Sequence, residues 1–227
     1  MALSSRVLPL FFPVVLAGLA ACENPAKDKP QATVAPAVDT AAAVKPAASS
    51  PVTAATPNAG PTVYAITPSN SKVEWEGSKV TGKHVGTFAT FSGTVTVPDG
   101  KVETSKIAID IDTASLTTDP AQLTAHLKSA DWFDVAKFPK ATFESTSIVA
   151  GGTNGATHTV TGNLDLHGQK KSISFPATIT LDGGHAKAKS EFVIKRADFA
   201  LVYPGKPNDL IRPEVLIKLT IDAAPKG

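Results

Sequence analysis

Five histidines and one cysteine are the side chains of this 227-residue chain best suited to hold a metal or to serve as a nucleophilic centre. His84, His126, His158, His167 and His185 are scattered over separate stretches, and no two stand at the short H-x-x-x-H type of spacing that zinc sites use. No metal site and no cofactor are therefore expected. Serine, histidine and aspartate are plentiful, yet the chain has no G-x-S-x-G elbow, no H-E-x-x-H helix and no glycine loop to cradle phosphate. A non-enzymatic protein is expected. His126, five residues before Asp131, suits either a hydrogen-bonded structural role or a polar contact to a ligand head group.

Cys22 is the only cysteine, which rules out an intramolecular disulfide. One charge, Arg6, precedes an uncharged run from Val7 to Ala21 that contains Pro9 and Pro13 and ends in small residues. That is the layout of an export signal, and the run is shorter than the roughly 20 residues of a membrane span. Leu19-Ala20-Ala21-Cys22 resembles the lipobox of bacterial lipoproteins, in which cleavage precedes the cysteine and the thiol receives a diacylglycerol. The plainer alternative is an ordinary signal site that leaves a free thiol, which is a liability at a surface. The expectation is a signal peptide over 1–21 and a lipid anchor at Cys22 that attaches the protein to a membrane. Glu23 is not the Asp that marks inner-membrane retention, so a periplasm-facing place on the outer membrane is expected.

The formal charge of +2 falls to +1 once Arg6 leaves with the signal, and aromatics are not interleaved with basic runs. Nucleic acid is not an expected partner. Between Glu23 and Thr62 there are forty residues without an aromatic, twelve of them Ala and seven Pro. So little apolar side chain cannot offset the entropy of folding, and residues 22–62 read as a disordered Ala/Pro-rich tether. A coil of that length spans on the order of 35 Å, and a fully extended polyproline form roughly 120 Å.

Residues 63–224 form one domain whose pattern has a period of two. Val73, Trp75 and Gly77 alternate with Lys72, Glu74 and Glu76; Val95 and Val97 alternate with Thr94 and Thr96, and Ile107, Ile109 and Ile111 with Ala108, Asp110 and Asp112. Val160, Gly162, Leu164 and Leu166 follow, and Val215, Ile217, Leu219 and Ile221 close the series. Turn pairs separate the runs at Asp99-Gly100, Asn154-Gly155, His167-Gly168 and Asp182-Gly183-Gly184. Asp119-Pro120 reads as N-cap and first helical residue of one short helix, with Leu123 and Leu127 on one face and an end near Lys128. Pro176 marks an edge or a bulge. The expected fold is all-β, a closed antiparallel barrel of about eight strands with one short helix, because closure removes exposed edges. At that size the interior either fills with side chains or holds one small ligand.

The most specific stretch is His126-Leu127-Lys128-Ser129-Ala130-Asp131-Trp132-Phe133-Asp134, leading into Lys137-Phe138-Pro139-Lys140-Ala141-Thr142-Phe143-Glu144-Ser145. It resembles the H-L-x-S-x-D-F-F-D and K-[YF]-P-x-A-T-F-x-S signature of the YceI-like family of exported bacterial proteins, with Trp132 in place of the more frequent Phe. The stretch from Ser71 to Gly93 and the segment Thr161-Gly162-Asn163-Leu164-Asp165-Leu166-His167-Gly168 agree in order, and Arg196-Ala197-Asp198-Phe199 is similar to an R-x-D-F-G motif whose glycine is Ala200 here. The resemblance implies a lipocalin-like barrel with a long cavity that binds a polyisoprenoid or other long apolar lipid. The candidate ligand contacts are Trp75, Phe88, Phe91, Ile109, His126, Trp132, Phe133, Phe143, Phe175 and Phe192, although aromatic side chains such as these, with Phe138 and Phe199, also serve as ordinary core. Burying about twenty carbons contributes roughly 15 kcal/mol gross, against about 1 kcal/mol for a neutral hydrogen bond, so the tail would set affinity and the head orientation. The expected function is carriage or sequestration of such a lipid in the cell envelope. The alternative is an envelope adaptor whose packed barrel binds another protein.

Overall fold

A computed structural model describes residues 24–38, 60–182 and 184–226; the expected signal, the anchor at Cys22 and residues 39–59 lie outside them. Thirteen strands and one helix follow in chain order: β1 (Thr33–Pro36), β2 (Thr62–Ile66), β3 (Lys72–Lys79), β4 (Gly82–Phe88), β5 (Phe91–Val97), β6 (Lys106–Asp112), β7 (Leu116–Thr118), α1 (Ala121–Lys128), β8 (Lys140–Ala150), β9 (His158–Leu166), β10 (Gln169–Asp182), β11 (His185–Lys195), β12 (Gly205–Lys206) and β13 (Asp209–Pro225).

Eight of them close a ring in the order β2, β5, β6, β8, β9, β10, β11, β13, with β13 returning to β2. The strand-to-strand pairings are antiparallel. Strand β13 makes closure possible because it changes neighbours along its length: residues from Ile211 to Thr220 pair with β3, and Ala224 and Pro225 pair with β2. Strands β3, β4 and β7 form a branch beyond it. The hairpins follow from the turn chemistry. Leu166 pairs with Gln169, so His167 and Gly168 alone make the β9–β10 turn, both at positive φ (53° and 71°) as a tight primed turn requires.

The alternating residues point where the pattern places them: Val73, Trp75, Ile107, Ile109, Ile111, Val160, Leu164, Val215, Ile217 and Leu219 all face the interior. Pro176 lies inside an unbroken β9–β10 register, opposite Thr159, and marks no bulge. It sits in a gap on the other side of β10, between the last residue paired to β1 (Ser174) and the first paired to β11 (Thr178). A residue without an N–H loses nothing there.

Two expectations need correcting. The helix begins one residue later than the motif suggests, with Pro120 at the N-cap and no side-chain cap; the Asp119 carboxylate instead accepts from Thr118 and faces His84 Nδ1 at 3.1 Å. Residues 24–38 are not part of a tether. They lie along the barrel, with Ala26 buried beside Val193 and Leu216, a four-residue pairing of β1 with β10, and both backbone groups of Val38 bonded to the Asn163 amide (2.8 and 3.1 Å). The segment needs no core of its own, because it uses backbone groups that the barrel leaves unpaired.

On the outer wall Glu76 is almost fully buried, with Lys83 and Lys218 each 2.8 Å from its carboxylate. Desolvation would raise its pKa, but the two lysines outweigh it and hold the carboxyl below its ordinary range. A depressed folded pKa means that this stabilisation is complete above the ordinary carboxylate range and is lost as pH falls through the folded value. Glu76→Gln is expected to cost about 1–2 kcal/mol at neutral pH, since both lysines are partly solvated, and to weaken the acid-side loss of Tm in a pH series of thermal melts.

Candidate functional site: an apolar cavity with a donor-rich end

The ring encloses a cavity of about 710 Å³, within the roughly 300–1,000 Å³ of small-molecule sites. Its body is hydrocarbon. Ile107, Ile109 and Ile111 of β6, Ile217, Leu219 and Ile221 of β13, and Phe143, Phe175 and Phe192 all line it. Phe175 and Phe192 are stacked, with centroids 4.2 Å apart, and Phe143 tilts against Phe175 at 5.7 Å. Glycines make room for the large rings. A Cβ on Gly86 would stand 2.2 Å from the Trp75 indole, and one on Gly162 would stand 2.4 Å from the Phe143 ring.

One end of the cavity is built by α1 and the segments after it. Leu127, Trp132 and Leu116 form a buried cluster against which Leu123, Phe88, Phe133 and Tyr203 pack. Arg196 locks this end. It is buried, and it donates to three backbone carbonyls, those of Leu201 (2.6 Å), Arg212 (3.1 Å) and Ile211 (3.2 Å), with its guanidinium 5.4 Å from the Trp132 ring. Burial pulls its pKa below the usual arginine value. Ala200, where the related motif has glycine, adopts left-handed φ of 57°, a conformation that costs a non-glycine residue roughly 1–2 kcal/mol.

The same end carries polar atoms without protein partners. Trp75 Nε1, Ser78 Oγ, Trp132 Nε1 and Arg212 Nε are all buried, unpaired and on residues that line the cavity. All four can donate a hydrogen bond. Lys79 and Asp209 also reach this rim, paired at 2.5 Å, and hydrogen bonds from Lys79 and Thr81 hold the Asp209 carboxyl below its ordinary range.

Nine of the ten expected contact residues line this cavity: Trp75, Phe88, Ile109, His126, Trp132, Phe133, Phe143, Phe175 and Phe192. Phe91 does not. Strand β2 ends opposite Gly93, and Phe91, two residues further along, is buried in the wall cluster that contains Ile66, Val73 and Ile109. Phe138 packs on His167 at 4.4 Å, and Phe199 is fully buried off the cavity. His126 lines the cavity and also lies 3.3 Å from Asp131, edge-on to Tyr203 and Trp132. The other four histidines have separate polar partners: Asp119 for His84, Glu103 and Thr157 for His158, the Phe199 carbonyl for His167, and Asp222 for His185. Among the described residues no three His, Cys, Asp or Glu side chains cluster as metal ligands would, and no helix is long and apolar enough to cross a membrane.

Ser78, Arg212 and Tyr203 are cavity residues that the alternation pattern misses. Ser78 falls on the wrong phase after Gly77, and the β3–β13 register shifts between Ile211 and Val215, next to Arg212. A bulge resets which side chains point inward, and strict alternation carries no signal for it.

Residues 64–223 match the YceI-like domain. The chain belongs to the YceI-like family. A UPF0312 protein of Pseudomonas putida strain W619 is 34% identical to this YceI-like chain over 153 residues, covering 64% of the chain and 79% of that relative. Among solved structures, Burkholderia cenocepacia BcnA matches the YceI-like barrel with a TM-score of 0.60 and 27% identity, over 70% of this chain and 99% of that one. A domain from Saccharophagus degradans, described as polyisoprenoid-binding and implicated in plant cell wall breakdown, has the same fold at a TM-score of 0.56 and 17% identity, over 72% and 98% of the two chains.

Proposed function

We propose that the barrel holds one long apolar chain, an isoprenoid or similar lipid, with its tail in the hydrocarbon body and an oxygen-bearing head at the α1 end. The observation that carries this reading is the pairing of an apolar cavity with four donors at one end that have no partner in the protein. An adaptor with a solid interior would have no use for such a void. The related polyisoprenoid-binding domain of Saccharophagus degradans has the same fold, which supports the choice of ligand class. The barrel acts by holding the lipid and needs no catalytic group. We further propose that the protein is anchored through an acylated Cys22, faces the periplasm from the outer membrane, and carries or sequesters its lipid there.

Native mass spectrometry of the full chain extracted from membranes is expected to show a lipid adduct at one to one. Adding a polyprenol at about a hundredfold excess over its Kd should stabilise the barrel by about 2.7 kcal/mol, a rise in Tm on the order of 5–10 °C. Empty chains together with an unchanged Tm would overturn the reading.

A further inference from the structure

The wall of the barrel is not continuous between β10 and β11. These strands pair only from Thr178–Lys189 to Asp182–His185; above that, β10 from Gln169 to Ala177 and β11 from Ser190 to Lys195 have no ladder between them. Strand β1 stands in the gap. Thr33 to Pro36 pair with Ser174 to Lys171 of β10, while contact with β11 runs through the bonds that join Pro30 and Ala32 to Val193 and through an ion pair of Lys29 with Glu191. Ala32 and Val34 pack against the interior cluster that contains Ile173, Phe175, Phe192 and Ile194, and these four residues line the cavity.

We propose that residues 24–38 are a removable wedge closing a lateral portal in the barrel, and that lipid passes between the cavity and a bilayer through this portal. The proposal rests on the lipid-holding reading of the cavity. The wedge is weakly held: it has four paired residues on one side, where β9 and β10 share nine, and Ala26 is its one buried side chain. Segments with few buried contacts open at the lowest free-energy cost. Behind it lies an apolar path, since releasing β1 uncovers Ile173 and Ile194 beside the stacked Phe175 and Phe192. A lipid tail can leave sideways along hydrocarbon, whereas leaving past α1 would carry it through the donor-rich end.

The partner is a lipid surface, because the wedge is the part of the described chain nearest in sequence to Cys22. Three residues separate Cys22 from Ala26, a reach of at most about 14 Å over the four steps. With Cys22 acylated, the anchor therefore holds the β10–β11 face close to the bilayer. Pulling on the anchor pulls on the wedge.

Thr33 and Ser174 are register partners, and neither lines the cavity. Facing residues of an antiparallel pair stand within disulfide range. The full chain carrying Thr33→Cys and Ser174→Cys, with each single variant as a control for bridging to Cys22, is placed on phosphatidylcholine vesicles containing a polyprenol. Uptake by the oxidised form is expected to be at least about tenfold slower than by the reduced form, with the same final one-to-one occupancy and full recovery on reduction. The reduced form of the same variant reports whether the substitutions themselves impair folding. Equal rates in the two forms overturn the portal and send the lipid past α1, leaving the binding reading intact. Absence of uptake in both forms, with the wild type equally empty, overturns both.

Discussion

Ile217→Trp is expected to weaken polyprenol binding by at least a hundredfold while the barrel stays folded. Ile217 lies mid-strand in β13, between Phe192 of β11 and Trp75 of β3, all three on the cavity wall. It is only half-buried because its side chain borders the void. An indole there occupies space that is already empty, so the overpacking cost is small, about 1.5 kcal/mol or less. The lipid loses the passage on which its affinity depends. If about ten carbons can no longer be buried, the gross loss is roughly 8 kcal/mol, and after immobilisation costs are returned it still exceeds the ~2.7 kcal/mol of a hundredfold change. Titration followed by native mass spectrometry measures the binding, and a thermal melt of the same sample reports folding. A variant that binds as well as the parent would show that the tail does not occupy the cavity body.

Arg196→Ala is expected to produce the largest loss of stability of any single substitution considered, about 3–5 kcal/mol. The side chain is buried, and it satisfies the carbonyls of Leu201, Ile211 and Arg212. Each such bond to a charged donor is worth roughly 1.5–3 kcal/mol, and its loss leaves carbonyls partly buried without a partner. For a domain of this size the Tm should fall by on the order of 10 °C. The damage should be local first, because Arg196 joins the segment at Leu201 to the start of β13 and reaches the Trp132 ring. Hydrogen exchange over 200–212 should therefore speed up before the rest of the barrel opens. Arg196→Lys should recover less than half of the loss, since one ammonium cannot bridge three carbonyls in the geometry of a guanidinium fork.

Both effects follow from the division of the cavity into a hydrocarbon body and a donor-bearing end. The body sets how much chain is buried, and the end sets which way the chain lies. The portal adds a third element, a route, and separates the rate of exchange from the affinity.

Much of this was legible in the residues. The alternating runs of β3, β6, β9 and β13 determined which side chains face inward, because a strand has a period of two and a closed barrel has one inside. The turn pairs determined the hairpins, because few residues tolerate positive φ. The stretch from His126 to Ser145 carried the resemblance to the YceI-like family, whose domain residues 64–223 match. The fate of Phe91, the inward turn of Ser78 and Arg212, and the docking of 24–38 were decided by the tertiary structure alone. Each depends on where a neighbouring strand ends, where a register slips or where a ladder is left open, and such facts belong to pairs of strands distant in sequence. The composition of 24–38 supplies no core on which it could fold by itself. It does not have to: the unpaired edge of β10 supplies the hydrogen bonds that its own side chains cannot replace.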